Sequence, residues 1–537
     1  MEKEITIEIK RPEIIILLVF LSIILVLKLQ VTFNSPIAFG DEGFHTRMAQ
    51  YMAEEVEYPV LTGMGETKLN YGGFVRPPLF NLLEGSFFLL LGHEDSIIKF
   101  LTPFTTFLIG IVVYLLTKKI WNEKVGLIAA IFSVTIPSLV TYSVLFYTDT
   151  LYTLYVTLFF LLFLIAMKDD NKKILILAGI FGGLAFLTDI SGLAIYPFVL
   201  IGLLYELMIK KKFSNIIKKY TILLSILILI PSTFLIRNIY YFNNPLCRDL
   251  PLINIFDNSK CSTDEFEEKY HFAGRVEQVG TEQSVYSMGI VNYLDFAYGN
   301  IWLILLGTFS GLIILFSKRR YVTSYIAIYL LLFFVMFYFS TDRAEDTARN
   351  TLGWVPVFAL VSGVYFAELY NFLKNYQKYI ALVVFLAIFF FSYQNVRSKL
   401  DVMFRVKQFS PIFFEACNWV KENTPKNVSL YTVWGWRALY NCQRNAVGTG
   451  TIPDIALSRD VNYTVDVAKQ HGITHIFIQK FSIDYRNQHF SENYDIDFVK
   501  FLEDNPQHFK KIYENGPSLE QCLQQGGCDG NIIYEIV

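Results

Sequence analysis

The chain has 537 residues, of which 53% are hydrophobic and 18% are charged, and its formal net charge is −2. A soluble protein of this length would show its apolar residues in alternation or in helical stripes, but here they form blocks near the length that crosses a bilayer, about 20 residues. The composition therefore argues against a soluble enzyme. The basic clusters are spread along the chain and follow membrane topology, so they give no sign of a nucleic-acid partner.

Apolar blocks and their charged flanks predict about eleven membrane spans. Lysine and arginine cluster in the short gaps between alternate blocks, as expected of cytoplasmic loops. The predicted spans are 13–31, 97–117, 125–143, 150–167, 174–188, 192–209, 220–236, one that closes at Lys318, 322–339, 353–370 and 379–395.

The N-terminus is predicted to be cytoplasmic, because Lys3, Lys10 and Arg11 precede the first apolar block. No small-residue cleavage site follows that block, so it is expected to remain as an anchor. An odd number of spans then places the C-terminus outside a plasma membrane, or in the endoplasmic reticulum of a eukaryote. Frequent Ile, Lys, Asn and Phe are typical of an AT-rich prokaryotic genome, and we expect an archaeal source.

The predicted fold class is a polytopic α-helical membrane protein with a C-terminal extracytoplasmic mixed α/β domain. The membrane domain covers 1–398, with outside loops at 32–95 and 237–295, and the α/β domain covers 399–537. Leu79–Leu91 is apolar but too short to span, so we expect an interfacial or re-entrant helix. The tail's expected strands are 428–433, 475–479 and 532–537, and its expected helices are 411–422 and 495–504.

All six cysteines fall outside the predicted spans and cytoplasmic loops, which indicates disulfides in an oxidising compartment. Neighbouring cysteines close small loops, so we favour Cys247–Cys261, Cys417–Cys442 and Cys522–Cys528 among the 15 pairings that six cysteines allow. The alternative is that some are free buried thiols. Sequons at Asn427 and Asn462 agree with an exposed tail.

The first outside loop begins with FGDEGFH at 39–45, so Asp41 and Glu42 come directly after a membrane anchor. Ionised side chains beside hydrocarbon are costly unless they are used. A carboxylate here can take the proton of an attacking hydroxyl. The alternative is that Asp41 merely caps the helix that begins near Glu42.

Several motifs occur in a fixed order after this acidic pair. They are Arg76-Pro77-Pro78-Leu79, FYTDTLYTLY with Asp149, the glycine-rich GIFGGLAFLTDISGLAIYPF, IRNIYYFNNP with Arg237, and TARNTLGWVPVFALVSG with Arg349 and Pro356. In this order they resemble the GT-C glycosyltransferases of the protein O-mannosyltransferase and aminoarabinose-transferase group. DEGFH and FYTD also resemble dolichol-phosphate-glucose glucosyltransferases. The tail lacks the WWDYG string of oligosaccharyltransferases.

The resemblance implies roles for six residues. Asp41 would act as the base or as a carboxylate that positions the acceptor, and Glu42 and Asp149 would shape the sugar and acceptor pocket. Arg76, Arg237 and Arg349 would bind the phosphate of the donor lipid, since guanidinium groups grip phosphate oxygens in bidentate fashion. For each arginine, an interfacial snorkelling role is the alternative. We expect these groups to converge on one cavity at the outer leaflet.

Two further residues are candidates for the pocket. Where relatives often carry lysine after the glycine-rich span, this chain has Asp189, which either serves the pocket or caps the next helix. His45 lies three residues after Glu42, and His271 follows Glu267 and Glu268. Either histidine can hold a divalent metal ion or lie in an ordinary loop, and no cofactor is otherwise expected.

The resulting hypothesis is a membrane hexosyltransferase with inversion. Its donor would be a polyprenyl- or dolichyl-phosphate-linked sugar held among membrane lipids. Its acceptor would be an outside glycan, a lipid-linked saccharide or a protein hydroxyl. The alternatives are a multi-span transporter with an ectodomain, although no internal repeat is visible, and a non-catalytic scaffold for envelope assembly.

Overall fold

The computed structural model describes most of the chain. The described residues are 12–58, 76–209, 213–242, 245, 301–318, 320–340, 351–408, 410–433, 435–449, 452–484, 494–525 and 528–537. Cys247, Cys261, His271 and Arg349 lie outside them.

Helices dominate the first 407 residues. In chain order they are α1 Pro12–Phe33, α2 Glu42–Glu55, α3 Leu79–Leu91, α4 Asp95–Ile120, α5 Glu123–Thr135, α6 Pro137–Tyr142, α7 Asp149–Asp169, α8 Lys172–Thr188, α9 Ile195–Ile209, α10 Phe213–Leu229, α11 Ser232–Phe242, α12 Ile301–Lys318, α13 Arg320–Ser340, α14 Val355–Tyr376 and α15 Lys378–Lys407.

The chain forms two compact units. The helical unit comprises the described residues of Met1–Asn34, Lys99–Thr233 and Gln283–Phe404. The α/β unit comprises those of Ser35–Ile98, Phe234–Glu282 and Arg405–Val537. The helices α2 and α3, in the predicted first outside loop, therefore belong to the same unit as the tail, although about 300 residues separate them in sequence.

Among the described residues, five helices are long and apolar enough to cross a membrane, and the bent pair α10–α11, with a 48° bend, makes six. Every predicted span coincides with a helix or a pair of helices, but the count of eleven is not confirmed. The predicted span 125–143 shows why. Pro137 cannot continue the backbone ladder of α5, so a new short helix begins there.

Close packing in the helical unit depends on a small residue in α8. A Cβ atom at Gly182 would lie 3.0 Å from the Phe159 ring of α7 and closer still to Leu227 of α10. Glycine thus lets α8 pack between these two helices, as small residues do in membrane helix bundles. The glycine-rich sequence of this span serves packing.

The tail of the α/β unit forms a five-stranded mixed sheet in the order β2-β1-β3-β7-β6. β1 is parallel to β2 and β3, whereas β7 is antiparallel to β3 and β6. The strands are β1 Ser429–Thr432, β2 Asn445–Gly448, β3 His475–Gln479, β4 Ile483–Asp484, β5 Tyr494–Asp495, β6 Phe509–Asn515 and β7 Asn531–Ile536, with β4 and β5 forming a separate parallel pair. The helices are α16 Pro411–Asn423, α17 Gly435–Asn441, α18 Pro453–Leu457, α19 Val461–Gln470, α20 Ile496–Asp504 and α21 Leu519–Gln525. The mixed α/β character predicted for the tail is confirmed.

Both faces of this sheet are covered. Ile476 and Ile478 of β3 belong to one apolar cluster, and Phe477 between them belongs to another, because successive strand residues point to opposite faces. The second cluster also contains Phe44 and Met48 of α2. Helix α2 is therefore part of the hydrophobic core of the tail.

Two of the three predicted disulfides are present. Cys417 of α16 is bonded to Cys442, which follows α17, with Cα atoms 4.2 Å apart. Cys522 is bonded to Cys528, with Cα atoms 5.0 Å apart. The predicted Cys247–Cys261 pair lies outside the described residues. Asn427 and Asn462 are both exposed.

Candidate active site

Asp41 lies at the start of α2, within the α/β unit. Gly40 before it adopts the left-handed conformation, with φ 49°, which turns the chain into the helix. The Asp41 side chain makes no capping hydrogen bond to α2. Its Oδ2 instead accepts a hydrogen bond from Arg76 Nη1 at 3.1 Å. The capping alternative is thus not the contact observed, and Asp41 faces an arginine.

Arg76 is held from two directions. Its guanidinium lies 4.6 Å from the centre of the Phe44 ring. Its backbone carbonyl accepts a hydrogen bond from the Tyr58 hydroxyl at 2.7 Å. Burial raises the pKa of the Tyr58 hydroxyl well above its ordinary value, so this group stays a donor at any physiological pH.

Arg237 of α11 stacks on the same tyrosine. Its guanidinium lies 4.5 Å from the centre of the Tyr58 ring and 5.6 Å from that of Tyr241. Its Nη1 donates to Asn238 Oδ1 at 2.8 Å. Tyr58 therefore connects Arg237 to Arg76, and Arg76 connects to Asp41. We name these four residues the Tyr58 cluster.

Glu42 is placed differently from its neighbour Asp41. Its side chain is fully buried, and Oε1 accepts from Lys407 Nζ at 2.6 Å. Oε2 accepts from the backbone N–H groups of Ala38, at 3.3 Å, and Phe39, at 3.0 Å. Both oxygens of Glu42 are thus bound within the protein, and its predicted contact with the sugar stays a prediction.

His45 contacts α3. Its Nδ1 lies 3.1 Å from Asn81 Oδ1, and the Asn81 amide donates to the His45 carbonyl at 3.3 Å. One turn further along α3, Glu84 is fully buried, and neither of its oxygens has a hydrogen-bond partner among the described residues. Burial, with a smaller contribution from the negative charge of Glu42, raises the pKa of Glu84 well above its ordinary value.

Asp149 and Asp189 both belong to the helical unit. Asp149 is buried at the first position of α7. Thr148 beside it donates to Asp189 Oδ2 at 3.1 Å, and the Ser191 N–H donates to Asp189 Oδ1 at 2.9 Å. Asp189 thus caps the short 3-10 helix Ile190–Ala194, as one sequence alternative predicted, and also ties down the turn that carries Asp149. The convergence of Asp149 with Asp41 stays a prediction.

In the part of the chain that the structure describes, no group of three or more His, Cys, Asp or Glu side chains is placed to hold a metal ion. The metal hypothesis at His45 or His271 stays a prediction.

Sequence reasoning missed four residues near Asp41: Tyr58, Asn81, Glu84 and Lys407. Glu84 could have been identified from the sequence, because it is an ionisable residue inside an apolar helix. Such residues are costly near a membrane and are usually functional. No motif marks Tyr58 or Lys407, whose contacts join residues far apart in sequence.

Comparison with known proteins bears on this geometry. Residues 75–235 match the family model described as dolichyl-phosphate-mannose-protein mannosyltransferase. The match includes Arg76, Asp149 and Asp189 and covers under a third of the chain. No curated protein sequence matches this chain significantly.

Solved structures share the fold over nearly the whole chain. The oligosaccharyltransferase AglB from Archaeoglobus fulgidus, in complex with an inhibitory peptide and a dolichol-phosphate, aligns with a TM-score of 0.64 and 13% identity, covering 93% of this chain and 73% of AglB. ArnT from Cupriavidus metallidurans, bound to undecaprenyl phosphate, aligns with a TM-score of 0.60 and 12% identity over 97% of both chains. The mycobacterial arabinofuranosyltransferase AftD aligns with a TM-score of 0.54 and 12% identity over 96% of this chain and 40% of AftD.

The predicted resemblance is confirmed. The chain has the fold of GT-C glycosyltransferases, with several apolar helices and a mixed sheet in its C-terminal region. The structural neighbours are named for different transfer reactions, so the fold alone does not choose among those reactions.

Proposed function

We propose that this protein is a membrane glycosyltransferase that moves one hexose from a polyprenyl- or dolichyl-phosphate donor to an extracytoplasmic acceptor, with inversion at the anomeric carbon. The observation that carries the proposal is the Tyr58 cluster, which joins one carboxylate, Asp41, to two guanidinium groups, Arg76 and Arg237.

The chemistry needs these two kinds of group. An acceptor hydroxyl attacks the anomeric carbon, a new C–O bond forms, and the bond to the phosphate oxygen breaks. Asp41 takes the hydroxyl proton. The bonding electrons leave with the phosphate oxygen, and Arg76 and Arg237 stabilise the charge that develops there.

Helix α3, which begins shortly after Arg76, and helix α11, which carries Arg237, also offer apolar surface for a lipid. Leu89, Leu90 and Leu91 at the end of α3 are exposed, and so are Ile236 and Tyr240 on α11, the helix of Arg237. Exposed apolar faces of this kind fit contact with acyl or prenyl chains. A guanidinium next to such a surface suits a phosphate at the head of a prenyl chain.

The comparisons support the donor class. AglB and ArnT were each solved with a prenyl phosphate, and the matched family model names dolichyl-phosphate-mannose. Dolichyl-phosphate-mannose is therefore the first donor to test. AglB was also solved with a peptide, which makes a protein acceptor one of the three acceptor classes to try.

The test is sugar transfer by the Asp41→Asn variant, with a radiolabelled polyprenyl-phosphate hexose as donor. We expect transfer to fall by roughly 10²- to 10⁴-fold, the usual contribution of a general base. The control is Asp497→Asn, which removes an exposed carboxylate of the same unit that pairs with Lys500. Unchanged transfer by Asp41→Asn would remove Asp41 from the mechanism. Absence of transfer by the wild type across several donors and acceptors would favour a transporter or a scaffold.

A further inference from the structure

The ion pair between Lys407 and Glu42 is buried on both sides. Neither side chain is exposed, and the Nζ–Oε1 distance is 2.6 Å. Burying two charges is expensive, and replacing such a pair by apolar residues is often neutral or stabilising. The pair is therefore weak evidence for stability, and a role in fixing one local conformation is a better account of its presence.

Glu42 closes a loop around Asp41. Its Oε2 binds the N–H groups of Ala38 and Phe39, and the Phe39 carbonyl accepts from the Glu42 N–H at 3.1 Å. Gly40 supplies the left-handed turn within this loop. Asp41 stands between Gly40 and Glu42, so the loop determines where its carboxylate points.

Other charged groups near Glu42 do not compete for this role. Glu84 is a second buried carboxyl group, and burial raises its pKa well above the ordinary value, so it cannot serve as the cation that pairs with Glu42. Arg76 is bound to Asp41 itself. Lys407 is thus the cation paired with Glu42, and it reaches α2 from the end of α15, 365 residues away in sequence.

We propose that Lys407 is a positioning residue, which acts through Glu42 to hold the Ala38–Glu42 loop in the shape that aims Asp41 at the acceptor hydroxyl. This inference rests on the proposed function in assigning Asp41 as the base. It assigns Glu42 to the same positioning role, away from contact with the sugar.

Three variants separate positioning from stability: Lys407→Met, Glu42→Gln, and the two together. Lys407→Met alone leaves a buried unpaired carboxylate, so we expect a clear fall in Tm and in kcat. The double variant removes both charges at similar volume, and we expect Tm to recover to within a few degrees of the wild type. Its kcat should stay at least tenfold below the wild type, while the KM for the donor changes less than threefold.

The matched control is an ion pair elsewhere in the α/β unit, between the buried Lys480 and the partly exposed Glu514, whose Nζ–Oε1 distance is 2.7 Å. The double variant Lys480→Met with Glu514→Gln should keep the wild-type kcat. A Glu42→Gln/Lys407→Met protein whose kcat lies within twofold of the wild type would overturn the proposal. So would an equal loss of kcat in the control.

A second readout does not depend on transfer. Amide hydrogen exchange across residues 38–42 should become faster in Lys407→Met, and unchanged exchange there would also overturn the proposal. If exchange rises but the wild type transfers no sugar, the proposed function fails and the loop-holding role stands.

Discussion

The contact between Asp41 and Arg76 is the kind that a substrate can replace. Their side chains are 26% and 42% exposed, and ion pairs at such exposure contribute little to stability, about 0–1 kcal/mol. Under the proposed function, a donor phosphate would therefore replace Asp41 as the partner of Arg76 at small cost. Asp41 would then be released at the moment when a base is needed.

Arg237 is expected to need its planar guanidinium as well as its charge. Arg237→Lys keeps the charge but loses the stack on Tyr58 and the bidentate grip on phosphate. We expect the donor KM to rise roughly tenfold, with a smaller change in kcat. Steady-state transfer at varied donor concentration measures both.

The control for this substitution is Arg459→Lys, because Arg459 stacks on the Phe498 ring at 5.5 Å elsewhere in the α/β unit. It should leave the donor KM unchanged. A wild-type donor KM in Arg237→Lys would show that the guanidinium does not bind the phosphate.

Glu84 should make stability depend on pH. Folding raises its pKa above the ordinary 4.5, so the folded state holds a proton that the unfolded chain releases. This contribution to stability is complete below pH 4.5 and is lost as pH rises toward the folded pKa. Glu84→Gln mimics the protonated acid, so its Tm advantage over the wild type should widen from pH 5 to pH 8.

Thermal unfolding in detergent at several pH values measures this difference. Glu422→Gln, at an exposed position of α16, serves as the control. Its Tm should differ from that of the wild type by the same amount at every pH. A constant offset for Glu84→Gln as well would mean that Glu84 is ionised in the folded protein.

Among single residues, the sequence predicted those candidate site residues that belong to short motifs. Asp41, Arg76 and Arg237 each stand in a recognisable string, and the structure brings these three into one cluster. Tyr58 and Lys407 were not predictable, because nothing local distinguishes an aromatic or a helix-terminal lysine that contacts a residue far along the chain. Their roles depend on the tertiary fold.

For helices and strands, the hydrophobic pattern predicted the bounds best where the apolar run was strongest. α3 occupies Leu79–Leu91 and β3 occupies His475–Gln479, with the bounds that the apolar runs predicted. β2 and β6 were missed for different reasons. β2 has only four residues, and β6 lies at the sheet edge with exposed Lys510 and Lys511, as edge strands often do.

Helix α2 shows why an element's partner is harder to predict than the element. A Cβ atom at Gly43 would collide with the backbone oxygen of Trp436 in α17. The glycine therefore allows α2 and α17 to touch backbone to backbone. In the sequence, Gly43 looks like an ordinary loop glycine. Trp436, the residue whose backbone requires a glycine at this position, lies nearly 400 residues away.

At the scale of the whole molecule, the charge pattern makes a definite prediction of topology. The tail should face outside, and the loop between α7 and α8 should face the cytoplasm. A membrane-impermeant amine reagent should label Lys426 in intact cells, whereas Lys172 and Lys173 should react only after the membrane is opened. All three are exposed in the structure, so reactivity reports the side of the membrane.

Peptide mass spectrometry reads out the labelled lysines. Labelling of Lys172 or Lys173 in intact cells, or protection of Lys426, would reverse the assigned sides. If only one of these two results were seen, the number of spans between Lys173 and Lys426 would have to change by an odd number.

The shared core of α2 and the tail has a consequence for biogenesis. Phe44 and Met48 are synthesised about 370 residues before Phe413 and about 430 residues before Phe477, which at 5–20 residues per second is a delay of roughly 20–90 s. During that interval α2 has no apolar partner from the tail, and Lys407 has not yet reached Glu42. A nascent chain that stalls before the tail is made therefore lacks both the apolar core that holds α2 and the lysine that pairs with Glu42.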